Sequence, residues 1–364
     1  MLFIWIGFIL FVLAMLALDL GVFHRSAHVV KVREALIWSA IWIALALLFS
    51  VFVYFGYDHH WMGLGARVDA VDGTVNDGTR ATVKYLTGYV IEKSLSVDNI
   101  FVIAMLFAFF AVPAIYQHRV LFWGILGALV LRGVMIGVGA TLIARFNWVL
   151  YVFGAFLILT AVKMLTLKAE TADPGKNIII RLTRRLFPVT DHFHGEHFVV
   201  RAGSTQSHEA VVKGQAQEPD EAVDAMAQRK PGTLMLTPLA LALVMVETTD
   251  LIFAVDSIPA IFAITADPFL VFTSNVFAIL GLRSLYFALA GAIAMFKYLK
   301  QALAIVLAVV GVKMLGHGWF KSLLGEYFNL YLLGLVLLIL AAGVVASMIA
   351  RRREGPQPVP VTNA

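Results

Sequence analysis

Glu92-Lys-Ser-Leu-Ser-Val-Asp-Asn-Ile100 and Glu247-Thr-Thr-Asp-Leu-Ile-Phe-Ala-Val-Asp-Ser-Ile-Pro259 are acidic motifs inside otherwise apolar segments. Each motif holds two carboxylates six residues apart, Glu92 with Asp98 in the first and Asp250 with Asp256 in the second. An ionised carboxylate costs at least a few kcal/mol in hydrocarbon, so it occurs there when a cation, a proton or a partner compensates it. Two matching copies predict one site built from two halves.

The composition predicts that the surroundings of these motifs are a membrane. Hydrophobic residues make up 60% of the 364, charged residues only 14%, and the mean hydropathy is +0.86, which is outside the range of a soluble domain. Apolar runs long enough to cross the bilayer predict an all-α polytopic membrane protein with about nine transmembrane helices, near 2–20, 36–55, 82–109, 120–143, 148–167, 234–264, 270–296, 300–316 and 328–349.

The charged residues predict an orientation and exclude several classes of function. Basic residues follow the first, third, fifth, seventh and ninth helices, so the positive-inside rule places the N-terminus outside and the C-terminus in the cytoplasm of an inner (plasma) membrane. The net charge of +5 does not indicate nucleic-acid binding, because the basic residues lie at helix ends. The absence of cysteine excludes thiolate chemistry and Cys-based metal sites. No resident cofactor is expected, and the sequence does not determine the oligomeric state.

Three sequence anchors recur in the same order and predict an inverted repeat. They pair Val97-Asp98 with Val255-Asp256, Ile125-Leu-Gly127 with Ile279-Leu-Gly281, and Val162-Lys-Met-Leu165 with Val312-Lys-Met-Leu315. Each copy spans three helices, an odd number, so the copies have opposite orientations, as in many secondary transporters. The predicted organisation is a two-helix segment 1–55, repeat one 81–167, a cytoplasmic loop 168–232, repeat two 233–316, a last helix 317–350 and a tail 351–364.

Helix geometry limits how the acids can share a ligand. On a straight helix Glu92 and Asn99 share a face, whereas Asp98 points about 120° away. Pro259 frees the carbonyl of Val255, so the sequence predicts that the helix kinks or opens beside Asp256. Carboxylate, amide and hydroxyl oxygens, with unwound carbonyls, suit a hard divalent cation.

An alternative explanation is that these acids only hold helices together. Arg132 and Arg283 also lie in apolar segments and could neutralise Asp98 or Asp256 as buried pairs. We expect some of the acids to be paired with these arginines.

Other polar residues admit two interpretations each. Asp19 is either a further ligand or an interfacial acid, and Asn275 either contacts the ion or hydrogen-bonds a neighbouring helix. The histidines at 192, 194 and 197 could bind a transition metal, although a solvated loop is the favoured interpretation.

The motifs resemble those of the TerC/Alx family of integral membrane proteins. The resemblance rests on the two acidic motifs, on Ser274-Asn-Val-Phe-Ala-Ile-Leu-Gly-Leu-Arg-Ser-Leu-Tyr-Phe287 and on Leu18-Asp-Leu-Gly-Val-Phe-His24, and it extends over about residues 1–350. It implies a transporter-like fold related to the LysE group. The TerC/Alx family is named for tellurite resistance and is associated with manganese export. The resemblance also implies that the ion pathway contains Glu92, Asp98, Asn99, Glu247, Asp250, Asp256 and Ser257.

The leading hypothesis is a transporter that exports a divalent cation, most simply Mn²⁺, against protons. The sequence has no Walker-type nucleotide loop, and no enzymatic activity is predicted. An intramembrane aspartyl protease is disfavoured because its Gly-x-Gly-Asp signature is absent. A membrane scaffold that recruits partners through 168–232 is the alternative.

Overall fold

A computed structural model describes residues 2–18, 32–146, 148–166, 178–190, 193–201, 233–289, 298–316, 319–320, 325 and 328–354. The helices are α1 Leu2–Leu18, α2 Val32–Asp58, α3 Gly78–Phe109, α4 Ala114–Arg145, α5 Trp148–Thr166, α6 Ile178–Leu186, α7 Pro238–Phe262, α8 Pro268–Leu280, α9 Leu282–Leu289, α10 Leu299–Leu315 and α11 Phe328–Glu354. A 3₁₀ turn covers Trp61–Gly63, and strands β1 Val199–Arg201 and β2 Leu234–Leu236 pair antiparallel.

The predicted class, an all-helical membrane protein, is confirmed. Six helical segments of the described chain are long and apolar enough to cross a membrane: Val32–Asp58, Ala114–Arg145, Trp148–Thr166, Pro238–Phe262, Pro268–Leu289 and Phe328–Ala350. Helix α1 is apolar but shorter, at 17 residues. The count of nine spans and the inverted repeat therefore stay predictions.

Local sequence signals set where the central helices begin. Thr237 precedes α7, and its side chain accepts a hydrogen bond from the backbone amide of Ala240. Asp267 precedes α8 and accepts from the amides of Phe269 and Leu270. In both cases a proline follows at the first helical position, where its missing amide costs nothing.

The predicted helix 270–296 is interrupted. Helix α8 ends at Leu280, Gly281 forms a turn, and α9 continues from Leu282 to Leu289. The turn lies beside Lys93, whose ammonium donates a hydrogen bond to the carbonyl of Ala278 at 3.1 Å. A Cβ on Gly281 would lie 2.6 Å from that ammonium and 3.2 Å from the Cβ of Trp42, so a larger residue here would displace the Lys93 side chain. Residues 290–296 of the predicted helix lie outside the described residues.

The opening that the sequence predicted beside Asp256 is not found. Helix α7 runs without interruption from Pro238 to Phe262, with Pro259 inside it. Helix α3 is likewise continuous from Gly78 to Phe109. The proline lies within the last turn before the helix ends, so few of the helix's own hydrogen bonds are affected.

Four helices enclose the centre of the bundle. Helices α3 and α4 each pack against α7 and α8, and α5 packs along α10. Helices α5 and α10 approach closely at Gly154 and Gly311, where a Cβ on Gly311 would lie 2.9 Å from the carbonyl oxygen of Gly154. Small residues permit this close approach of helices in a membrane. Helices α3, α4, α7 and α8 each contribute a buried polar residue, namely Glu92, Arg132, Ser257 and Asn275.

Candidate functional site: a buried arginine centre

Arg132, in the middle of α4, is the hub of the buried charges, with 1% of its surface exposed. Its guanidinium donates to both carboxylate oxygens of Asp250 on α7, from Nε at 3.1 Å and from Nη2 at 2.8 Å. Its Nη1 also donates to Glu92 on α3. This fork-like geometry matches a planar guanidinium to carboxylates on two neighbouring helices.

Two neutral side chains complete the surroundings of the guanidinium. Nη1 of Arg132 lies 3.3 Å from the hydroxyl oxygen of Ser257 and 3.3 Å from the amide oxygen of Asn275. The amide nitrogen of Asn275 donates to the second oxygen of Glu92 at 3.2 Å. Ser257 and Asn275 are 2% and 0% exposed, so this is a dry centre. We call these five residues the Arg132 centre.

The Arg132 centre unites four of the residues that the sequence singled out, namely Glu92, Asp250, Ser257 and Asn275. Arg132 was expected to be a pairing arginine, but for Asp98 or Asp256. The structure instead pairs it with Glu92 and Asp250. Two carboxylates and one guanidinium give the centre a formal charge of −1.

Asp98 and Asp256 lie outside the Arg132 centre. Neither forms a hydrogen bond or ion pair with its five residues, all of which the structure describes. Asp256 accepts a hydrogen bond from Thr160 of α5 at 3.1 Å and has Lys163 as a charged neighbour. Asp98 has Lys300 as its charged neighbour. Helices α3 and α7 are continuous, so residues six apart on them point in directions about 120° apart. Only one acid of each pair, Glu92 or Asp250, therefore contacts Arg132.

Glu247 and Asn99, two further residues of the predicted ion pathway, have unused oxygens. Within the described chain, Oε2 of Glu247 and Oδ1 of Asn99 are buried without a hydrogen-bond partner, as is the hydroxyl of Ser96. The Glu247 carboxylate lies against Gly127 of α4, where a side chain would overlap it. Buried acceptors without partners are uncommon and call for an explanation.

Two other predicted features have different outcomes. Asp19 lies outside the described residues, as does His192 of the histidine cluster. His194 is buried whereas His197 is exposed, so these two histidines do not present one surface. Among the described residues, no group of three or more His, Asp or Glu side chains has the arrangement of a metal site.

A second buried charge cluster, at one end of the bundle, was missed by sequence reasoning. The ammonium of Lys84 contacts Asp69 at 2.8 Å, Asp72 at 2.7 Å and Asn76 at 2.6 Å. Its three donors are thereby matched by three acceptors from one loop. We call this cluster the Lys84 clasp. The available signal was a lysine inside an apolar helix that follows an acid-rich loop.

The Lys84 clasp also joins that loop to the connection between α7 and α8. Asp69 accepts hydrogen bonds from the hydroxyl of Thr265 and from the amide of Ala266, the latter at 2.9 Å. Burial alone would raise the pKa of Asp69, but Lys84 and these donors lower it below its usual value of 3.8. The loop 64–77 is therefore fixed to the bundle by a carboxylate that stays ionised.

The opposite end of the bundle carries the described part of the long loop. Arg119 at the start of α4 forms an ion pair with Glu196, and its guanidinium lies 5.8 Å from the ring centre of Phe198. The hydroxyl of Thr237 donates to the carbonyl of His197 at 2.8 Å. This part of the predicted loop 168–232 is thus docked on the helices. The predicted linker 203–232 lies outside the described residues.

These features define a polytopic, all-helical membrane protein with a buried charged centre between its helices. The chain belongs to the family described as "Integral membrane protein TerC family", whose family model matches residues 77–355. The resemblance expected from the sequence motifs is therefore confirmed. The matched range contains the whole Arg132 centre and, of the Lys84 clasp, only Lys84, because Asp69, Asp72 and Asn76 precede residue 77.

Relatives from several bacteria match most of the chain. It is 48% identical over 311 residues, 85% of this chain and 82% of the relative, to "Uncharacterized membrane protein STKORF319" of Myxococcus xanthus. It is 44% identical over 313 residues, 86% and 85% of the two chains, to "Putative membrane-bound redox modulator Alx" of Escherichia coli strain K12. It is 35% identical over 347 residues, 95% and 97%, to an "Uncharacterized membrane protein" of Rickettsia bellii. No solved structure gives a significant match.

Proposed function

We propose that this chain is a secondary transporter that exports a divalent cation, Mn²⁺, through the Arg132 centre. The observation that carries the proposal is the set of oxygens that converge there: two carboxylates, one amide and one hydroxyl from α3, α7 and α8. Oxygens of this kind bind hard divalent cations. Ionisable residues within membrane helices commonly mark ion pathways.

The packing of the helices supports an inverted repeat of 81–167 and 233–316. In such a repeat α3 corresponds to α7, α4 to α8 and α5 to α10. The contacts follow this exchange, because α3 packs on α8 as α7 packs on α4, and α5 packs on α10. Inverted-repeat transporters bind substrate where the halves meet. The Arg132 centre takes Glu92 and Arg132 from one half and Asp250, Ser257 and Asn275 from the other.

The proposal includes nine spans in an inner membrane with the N-terminus outside. Two of the connections that this topology puts outside, 59–77 and 263–267, are in contact through Asp69 and Thr265. The loop 168–232 and the tail after α11 are then cytoplasmic, in agreement with the positions of the basic residues.

Export is coupled to proton entry in this proposal. The same carboxylates can hold either a cation or protons, and no Walker-type loop is present for ATP. The Alx relatives carry a name that refers to redox modulation. The 364 residues of this chain contain no cysteine, so thiol–disulfide exchange is not available to its own side chains. We therefore assign it ion transport.

The test is Mn²⁺ flux into proteoliposomes that contain the purified protein and an internal Mn²⁺-sensitive dye. Wild-type protein should carry Mn²⁺, and Glu92→Gln and Asp250→Asn should abolish the flux because each removes a ligand charge. Asp58→Asn, which changes an exposed acid at the end of α2, is the matched control and should transport normally. Wild-type flux equal to that of protein-free liposomes would refute the function.

The scaffold alternative makes a different prediction. Deletion of 203–230 removes most of the predicted linker 203–232 within the loop that could recruit partners and leaves the Arg132 centre intact. A transporter should keep its Mn²⁺ flux in proteoliposomes after this deletion. Loss of cellular metal tolerance without loss of that flux would favour the scaffold.

A further inference from the structure

The guanidinium of Arg132 occupies the position that a divalent cation would take. Its three nitrogens contact five oxygens: both of Asp250, one of Glu92, the hydroxyl of Ser257 and the amide oxygen of Asn275. All are hard ligands of the kind that Mn²⁺ and Mg²⁺ take from proteins. Bound Mn²⁺ and this position of Arg132 would require the same oxygens.

The charges also argue against the simultaneous presence of Mn²⁺ and the guanidinium in the Arg132 centre. Glu92 and Asp250 together carry −2, which one divalent cation balances in full. Arg132 alone leaves −1, whereas Arg132 and the cation together would leave +1 in a site that is 1% exposed at both Glu92 and Arg132. Excess charge of either sign is costly in a buried, low-dielectric site. The cation and the guanidinium are therefore alternatives rather than neighbours.

A displaced guanidinium has an acceptor within reach. Glu247 lies three residues before Asp250 on α7, about 4.5 Å along the helix axis, and its Oε2 is buried without a partner in the described chain. Its carboxylate lies against Gly127, five residues before Arg132 on α4. Long side chains on a helix extend towards its N-terminus, so Arg132 can turn towards Glu247 along its own helix.

We infer that Arg132 is a tethered competitor of the transported cation, which occupies the empty site and moves to Glu247 when Mn²⁺ binds. The inference rests on the proposed function and assigns a positioning role to Arg132 and Glu247. In the empty protein Arg132 compensates one of the two carboxylates, so the transporter returns through the membrane with less unneutralised charge than the carboxylates alone would carry. In the loaded protein Mn²⁺ compensates Glu92 and Asp250, and Arg132 compensates Glu247.

The test compares net Mn²⁺ efflux with exchange of radiolabelled for unlabelled Mn²⁺ in proteoliposomes. Exchange needs only the loaded form to cross, whereas net efflux also needs the empty form to return. Arg132→Gln should lower net efflux by more than about tenfold, because it leaves Glu92 and Asp250 uncompensated in the empty form, and should lower exchange much less, because Mn²⁺ still compensates both carboxylates in the loaded form. Arg132→Lys keeps the tethered charge and should retain both rates.

A double-mutant cycle tests the role of Glu247. In wild-type background Glu247→Gln should raise the Mn²⁺ concentration for half-maximal exchange, because Arg132 loses its alternative acceptor. In the Arg132→Gln background the same substitution should have no further effect. An equal rise in both backgrounds would show that Glu247 contacts the ion directly and would overturn its assigned role.

Folding and function are separated by further controls. Elution as a single species in detergent shows that each variant is folded, and a folded Arg132→Gln that loses exchange as much as net efflux would overturn the inference. If that variant does not accumulate, Glu247→Gln in the wild-type background carries the test: the Mn²⁺ concentration for half-maximal exchange should rise, and an unchanged concentration would overturn the inference. Absence of wild-type flux would instead refute the proposed function itself.

Discussion

Replacing Lys84 by methionine should destabilise the protein strongly, because Lys84 compensates two acids at one end of the bundle. The side chains of Lys84 and Asp69 are 0% exposed and that of Asp72 is 11% exposed. Removing one partner of a buried pair typically costs about 3–5 kcal/mol. Most of this destabilisation should come from the uncompensated charge of Asp69, because water cannot reach its buried carboxylate. A loss of this size should lower the unfolding midpoint by at least about 5 °C.

The measurement is thermal unfolding of the detergent-solubilised protein, followed by tryptophan fluorescence. Arg80→Met is the matched control, because Arg80 lies on the same helix and its pair with Asp77 is 3.7 Å long and partly exposed. Exposed pairs contribute about 0–1 kcal/mol. Asp69→Asn combined with Lys84→Met should recover part of the loss, since the fully buried carboxylate is then removed and only the partly exposed Asp72 is left without Lys84. Equal midpoints for Lys84→Met, Arg80→Met and the wild type would refute the reasoning.

The pH dependence of the same variant follows from the pKa of Asp69. Lys84 holds this pKa below 3.8 in the wild type, so the pair stabilises the native state above about pH 4 and this contribution is lost as the pH falls through the native pKa. In Lys84→Met, burial acts without the lysine and raises the pKa of Asp69. The difference in midpoint between variant and wild type should therefore shrink below about pH 4.

Three further predictions concern transport. Asp98→Asn and Asp256→Asn should each lower Mn²⁺ flux. The protein should still accumulate normally, because neither acid holds Arg132; reduced accumulation in immunoblots would instead show that the two acids stabilise the protein. Gly127→Ala should impair flux because its methyl group overlaps the Glu247 carboxylate, whereas Gly137→Ala on the same helix meets open space and should not. Acidification on the release side should speed Mn²⁺ flux and acidification on the loading side should slow it, and a flux that ignores both pH values would indicate an uncoupled pathway.

The sequence predicted the apolar environment of the buried acids but not the residues that compensate them. Apolar runs and the cost of charge in hydrocarbon identify Glu92 and Asp250 as residues that need compensation. A single sequence gives the face of a helix on which a residue lies but not which helix packs against that face. Arg132 was therefore recognised as a pairing arginine and assigned to the wrong acids. Its true partners depend on α7 packing against both α3 and α4.

The remaining differences have local causes. A glycine turn at Gly281 is hard to foresee because Gly127, its counterpart in the other predicted repeat, lies in a continuous helix. Gly281 lies close to Lys93, which comes from a helix nearly 190 residues away. The Lys84 clasp joins Asp69 to Thr265 across a comparable separation. Contacts of this range leave no periodic pattern in the sequence.

The two buried clusters have the same charges, two carboxylates with one cationic side chain, but their geometry gives them different roles. Lys84 receives its three acceptors from residues 69–76 at 2.6–2.8 Å, so the site is one compact loop that needs no movement of the helices. Arg132 takes its contacts from three other helices of both predicted repeats, and two of them are as long as 3.3 Å. Any movement of one predicted repeat against the other must change the contacts of Arg132. The same movement can leave the contacts between Lys84 and its loop intact. A buried acid in a membrane helix therefore indicates transport most strongly where its compensating charge bridges the halves.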